Sequence, residues 1–94
     1  MIHINTNKYI DSQLNEILGR TLRLEREKQG LSLEDLSKKL GGKIKRQNLA
    51  YYETARSRLK LSRFIMICEA LQLNPAEVFD EINLKYLKNA KLGG

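Results

Sequence analysis

Residues 32–53 read SLEDLSKKLGGKIKRQNLAYYE, and the order of residue types along this stretch decides the fold. The Ser32 hydroxyl can cap free backbone amides while Asp35, three residues on, reaches back toward the Ser32 amide. That is a weaker version of the capping box that opens a helix. Leu33, Leu36 and Leu40 then recur as the inner stripe of a short helix, which Gly41-Gly42 ends. The helical pattern restarts at about Lys45. Leu49 and Tyr52 are spaced to face inward, and Arg46, Gln47, Asn48 and Tyr51 fall on other faces. The second helix of the pair is therefore short and unusually polar.

Upstream, between Asp11 and Gln29, Leu14, Ile17, Leu18, Leu22 and Leu24 fall within roughly half of a helical wheel, and Gly30 suits the left-handed residue that ends such a helix. Glu25 lies near the middle of that arc and requires either a basic partner or an interface. Downstream, Arg56, Arg58 and Lys60 crowd a loop, after which Leu61, Phe64, Ile65, Cys68 and Leu71 repeat at helical spacing. Asn74 before Pro75 opens a further helix, because proline has no amide to leave unsatisfied at the first helical position. Val78, Phe79, Ile82 and Tyr86 share one of its faces, and it is expected to run on toward Lys91, with Asn83 and Gly93-Gly94 leaving its end open. The chain is thus predicted to be all-α, a compact five-helix domain with an additional or extended C-terminal helix. Residues 1–10 form an N-terminal extension, 11–81 the domain, and 82–94 a tail or helix suited to a dimer contact.

A chain of 94 residues, 41% hydrophobic, supports one compact core. Its formal charge of +6 is concentrated: from Lys38 to Arg63 there are nine basic residues and one acid, Glu53, while the rest of the chain is net acidic. A local patch of one sign calls for a matching polyanion. Cys68 is the single cysteine, so no intramolecular disulfide forms. The start, Met1-Ile2-His3-Ile4-Asn5, lacks a basic flank and an apolar signal core, and the longest apolar run, Phe64 to Cys68, is far below membrane-spanning length. The expectation is a cytoplasmic protein with no membrane association.

His3 and Cys68 are too isolated to make a metal site or a catalytic pair. Cys68, on an apolar helix face, reads as a core residue. Ile2-His3-Ile4 alternates and is read either as disordered or as a strand at a subunit contact. The glycine pairs have no phosphate-loop context. No catalytic residues, metal or cofactor are expected, and the protein is not read as an enzyme.

Two short helices joined by a glycine-containing turn, the second polar and basic, are the sequence form of a helix-turn-helix. From about Leu18 to Phe79 the chain resembles the Cro-like, or xenobiotic-response-element, helix-turn-helix family. The resemblance is carried by Leu18-Gly19-x-x-Leu22-Arg23, Arg26, Gly30-Leu31-Ser32, Glu34-Asp35-Leu36-Ser37-x-x-Leu40-Gly41, Leu49-x-x-Tyr52-Glu53 and Glu69-Ala70-Leu71. No single piece is specific; their order and spacing together are. The chain departs from the family in having Leu33 where a glutamine usually contacts a backbone phosphate. Its turn is about two residues longer, through Gly42 and Lys43, and Ala55 and Leu59 stand where Gly and Pro are common.

The resemblance implies that Arg46, Gln47 and Tyr51 read bases, with Lys45 and Asn48 as second choices. Arg matches guanine and Gln or Asn matches adenine through paired hydrogen bonds in the major groove. Lys43, Thr54, Arg56, Arg58 and Lys60 are suited to phosphate contacts, which orient a protein without reading sequence. Arg26 and Glu53 are expected to form a structural ion pair. The leading reading is a sequence-specific regulator that binds double-stranded operator DNA as a homodimer, with Leu84, Leu87 and Leu92 at the subunit contact. On this reading no separate sensor domain is expected within the 94 residues. An alternative is an antitoxin that represses its own operon while another surface holds a toxin partner. A third reading is a basic surface that binds RNA or DNA without regard to sequence.

Overall fold

The computed structural model describes the backbone of residues 4–87 and the side chains of residues 12–85. Five α-helices follow one another: α1 (Ile4–Lys28), α2 (Leu33–Lys39), α3 (Arg46–Glu53), α4 (Leu61–Ala70) and α5 (Pro75–Ile82), and the chain continues past α5 as a π-helical turn, Asn83–Leu87. His3, Lys91, Leu92 and Gly93-Gly94 lie outside the described residues, as do the side chains of Tyr86 and Leu87. The all-helical architecture expected from the hydrophobic spacing is the one found.

α1 begins at Ile4 rather than near Asp11. Residues 4–18 contain neither glycine nor proline, and extending a helix already nucleated by its packed half costs little per residue. Leu24 is not part of the inner face either; it is 54% exposed. At about 100° per residue it is turned some 200° from Leu22, which is buried. Glu25 finds its basic partner one turn on, in Lys28, at 3.3 Å.

The core gathers Leu18 and Leu22 from α1, Leu36 and Leu40 at α2, Leu49 and Tyr52 from α3, Phe64, Ile67, Cys68 and Leu71 at α4, and Ile82 from α5. Leu33, Val78 and Phe79 pack around its edge, and the Phe64 and Phe79 rings meet at 4.9 Å in a tilted pair. In α4 the buried stripe is turned from the expected one: Ile67 is buried, whereas Leu61 and Ile65 are 61% and 40% exposed. Phe64, Ile67, Cys68 and Leu71 form a tight i, i+3, i+4, i+7 set, and Leu61 and Ile65 flank it on one side. Burial also pushes the Cys68 thiol up to about 11, so at neutral pH it is a small apolar filler.

Each of the first four helices ends in the same way. The residue after the cap is left-handed, and the amide of the residue that follows it reaches back across the last turn: Leu31 to Arg26, Gly42 to Ser37, Arg56 to Tyr51 and Leu73 to Cys68. Gly30 and Gly41 supply the left-handed residue for α1 and α2, but Ala55 and Gln72 supply it for α3 and α4, each at φ 60°.

Candidate nucleic-acid interface

α3 is set in place by its inner face. It packs against α1 and α2, and its Leu49 and Tyr52 are buried. The approach of α1 is so close that a β-carbon on Gly19 would lie 2.3 Å from the Tyr52 carbonyl oxygen and 2.8 Å from that of Glu53. The glycine of the Leu-Gly-x-x-Leu-Arg signature is thus where one helix's backbone meets the end of another.

Two turns further along α1, the Arg26 guanidinium donates from Nε and Nη2 to the two carboxylate oxygens of Glu53 at 2.7 and 2.9 Å, and from Nη1 to the Leu31 carbonyl at 2.7 Å. Arg26 is 8% exposed. The hydrogen bonds to Glu53 raise its pKa further above the ordinary arginine range, against the opposing effect of burial. This ion pair clamps the end of α3 to the end of α1.

The turn between α2 and α3, Leu40 to Lys45, is closed despite its length. Gly41 and Gly42 are both left-handed, Ile44 turns inward and is 1% exposed, and the Ser37 hydroxyl donates to the Ile44 carbonyl at 2.8 Å. Neither role was legible beforehand. Ile44 is a lone apolar residue between two lysines, and the signal that could have found it is its place five residues before Leu49 in an otherwise polar stretch. At the start of α2, the Ser32 hydroxyl accepts from the Asp35 amide and Asp35 accepts from the Ser32 amide, a complete capping box. The Ser32 backbone bond is the main reason the Asp35 carboxyl is held below its ordinary range.

The outer face differs in every respect. Lys45, Arg46, Gln47 and Asn48 are all exposed at the first turn of α3. Arg46 approaches Glu34 of α2 only to 3.9 Å, with both side chains mostly exposed, a geometry worth little in water. Glu34, Ser37, Gly42, Lys45, Arg46 and Gln47 line an open cleft of about 420 Å³ between the two helices. Tyr51 is half-buried and is not a free-standing side chain: the Arg56 guanidinium sits 5.5 Å from its ring centre. The structure therefore joins a residue expected to read bases to one expected to hold phosphate. Thr54 is exposed and its hydroxyl donates to the Ala50 carbonyl. Lys43, Arg58 and Lys60 are exposed.

Helix starts divide in the same way. α2 and α5 open on the side-chain caps of Ser32 and Asn74, while α3 and α4 open on Lys45 and Lys60 with no side-chain cap. The first-turn amides of α3 and α4 thus remain available beside a lysine, as anion contact requires. Behind them Arg63 donates to the Tyr52 hydroxyl at 2.7 Å. Among the described residues no cluster of three metal-ligating side chains occurs, and no helix is long and apolar enough to cross a membrane.

A comparison with curated proteins finds no match. A comparison with family models matches the helix-turn-helix model over residues 22–78, a span that runs from the buried Leu22 through the α2–turn–α3 unit to Val78 of α5. With this match over more than half of its length, the chain belongs to the xenobiotic-response-element type of helix-turn-helix family, a family of DNA-binding transcription regulators.

Proposed function

We propose that the protein is a sequence-specific transcriptional regulator that acts in the cytoplasm without catalysis, as a homodimer on inverted-repeat operator DNA. The observation that carries this reading is the division of α3. Its inner face is fixed by Leu49, Tyr52 and the Arg26–Glu53 pair, so that Arg46 and Gln47 stand exposed on a rigid support. Those two side chains form paired hydrogen bonds to base edges in the major groove, Arg46 to guanine and Gln47 to adenine. Lys45 and Asn48 flank them, and Tyr51 packs beside them under Arg56. Phosphates are held by Lys43, Arg56, Arg58 and Lys60 and by the uncapped starts of α3 and α4; Thr54 joins them only by releasing the bond its hydroxyl gives to the Ala50 carbonyl.

In such a two-fold dimer the two α3 helices enter successive major grooves, about 34 Å apart, and the half-sites lie about one helical turn apart. The exposed Leu84, 55% open on the C-terminal turn, supports a subunit contact there. The test is binding to operator and scrambled duplexes across a salt series. Gln47→Ala loses about 1–3 kcal/mol on the operator and little on scrambled DNA, whereas Lys60→Ala weakens both and flattens the salt dependence. If the two variants behave alike, α3 does not read bases and the binding is nonspecific. A Leu84→Glu protein that remains dimeric by light scattering would remove the C-terminal contact from the proposal.

A further inference from the structure

Residues 54–60 join α3 to α4 and carry Arg56, Arg58 and Lys60. As far as Ser57 this segment is held by the end of α3: the amides of Thr54, Ala55, Arg56 and Ser57 donate to carbonyls of Ala50, Tyr52 and Tyr51. Beyond that point the tie crosses to another helix. Asn15 of α1 donates from Nδ2 to the Ser57 carbonyl at 3.4 Å and accepts on Oδ1 from the Leu59 amide at 3.2 Å. One side chain thus brackets Arg58 on both sides. Asn15, Ser57 and Leu59 are half-buried, and Leu59 packs against the core. A carboxamide is suited to this place because it offers a donor and an acceptor together; a carboxylate only accepts, and leucine does neither. The accepted proton exists because position 59 is leucine, since a proline there would have no amide to give.

We propose that Asn15 is a positioning residue for phosphate contact: it holds the Arg58–Lys60 end of the loop in register with α3 and touches no DNA itself. The proposal rests on reading this loop as phosphate-binding. A loop freed at Ser57 and Leu59 must be ordered when DNA binds, and that ordering entropy is subtracted from affinity.

The test uses Asn15→Leu in the full-length chain, with Asn15→Ala as the second variant should the first fail to fold. Loss of the clamp is verified by faster hydrogen exchange at the Leu59 amide, and Asn15→Asp, which keeps the acceptor, retains that protection. Affinities are then measured on operator and scrambled duplexes over a salt series, with Lys60→Ala made in both backgrounds. The expected result is a loss of about threefold to tenfold on both duplexes, with operator preference unchanged. The salt slope falls by up to about one, and Lys60→Ala has a smaller effect without Asn15 than with it. A role in stability alone would lower the folded fraction but leave the slope and the Lys60 effect as they were.

Wild-type affinity and slope in a protein that has lost Leu59 protection would overturn the proposal while leaving the phosphate reading intact. If Arg58→Ala and Lys60→Ala leave the slope unchanged in the wild-type background, the phosphate reading fails, and the proposal is overturned with it.

Discussion

The two faces of α3 are built on opposite terms, though they belong to the same eight residues. Inward, every polar group is matched: Glu53 receives both arms of Arg26, the Tyr52 hydroxyl receives Arg63, and Gly19 lets two backbones touch. Outward, among the described residues, Arg46 has only a long, solvent-exposed approach to Glu34, and Gln47 and Asn48 are exposed. Hydrogen-bonding groups already satisfied by the protein cannot read a base, and groups left open cannot fix a helix. The inner face therefore carries the stability and the outer face is available for binding.

The largest effect should come from the inner face. Arg26→Ala or Glu53→Ala leaves a buried charge unpaired and should cost about 3–5 kcal/mol of unfolding free energy, measured by urea denaturation. The double variant should cost much less than the two losses added together, because neither charge is then stranded. Additive losses would mean that the pair is not the unit this geometry makes it.

Gly19→Ala comes next. The added methyl meets main-chain carbonyls rather than a side chain that can swing away, so a loss at the upper end of about 1–3 kcal/mol is expected. A thermal midpoint equal to that of the wild type would show that α1 and α3 can separate freely.

Ala55 follows Thr54, the residue that caps α3, at φ 60°. Because a left-handed residue with a β-carbon is strained, Ala55→Gly should stabilise the fold by about 0.5–1 kcal/mol, net of the entropy that glycine loses. If the loop's order matters for binding, the gain in stability will come without a gain in affinity.

On the outer face, Gln47→Ala should change stability by less than about 0.5 kcal/mol, whatever it does to binding. A larger loss would mean that the outer face also supports the fold.

The smallest effect at neutral pH is that of the Cys68 titration, because the thiol stays protonated there in both the folded and the unfolded chain. The unfolded thiol releases its proton near the ordinary 9.0, while the folded one holds it until about 11. The unfolded chain therefore binds fewer protons in between, and stability should fall as pH rises from about 9 to about 11. Cys68→Ala should flatten that part of the curve.

Much of this was written in local sequence. The Ser32–Asp35 box, the Asn74-Pro75 helix start, the Gly30 and Gly41 ends and the spacing of Leu49 and Tyr52 are short-range signals. Each depends on residues within a turn or two of one another, so they determined an all-helical chain with two short helices around a glycine turn. The polar composition of Arg46, Gln47 and Asn48, next to a run of basic residues, likewise marks the candidate interface in the sequence itself.

What only the tertiary structure decided are the contacts between distant residues. Leu61 and Ile65 have the apolar character of core residues and lie exposed, while Ile67 takes the buried place, because the facing helices choose the stripe. Ile44 stands between Lys43 and Lys45 in sequence and is a core residue. Gly19 could be seen as a signature residue, but not as the point where α1 meets the carbonyls of Tyr52 and Glu53. Asn15 carries no local signal, because its two hydrogen bonds reach across 42 and 44 positions of chain. Periodicity specifies which residues share a helix face. Only packing decides which face is covered, because burial depends on what arrives from the rest of the chain.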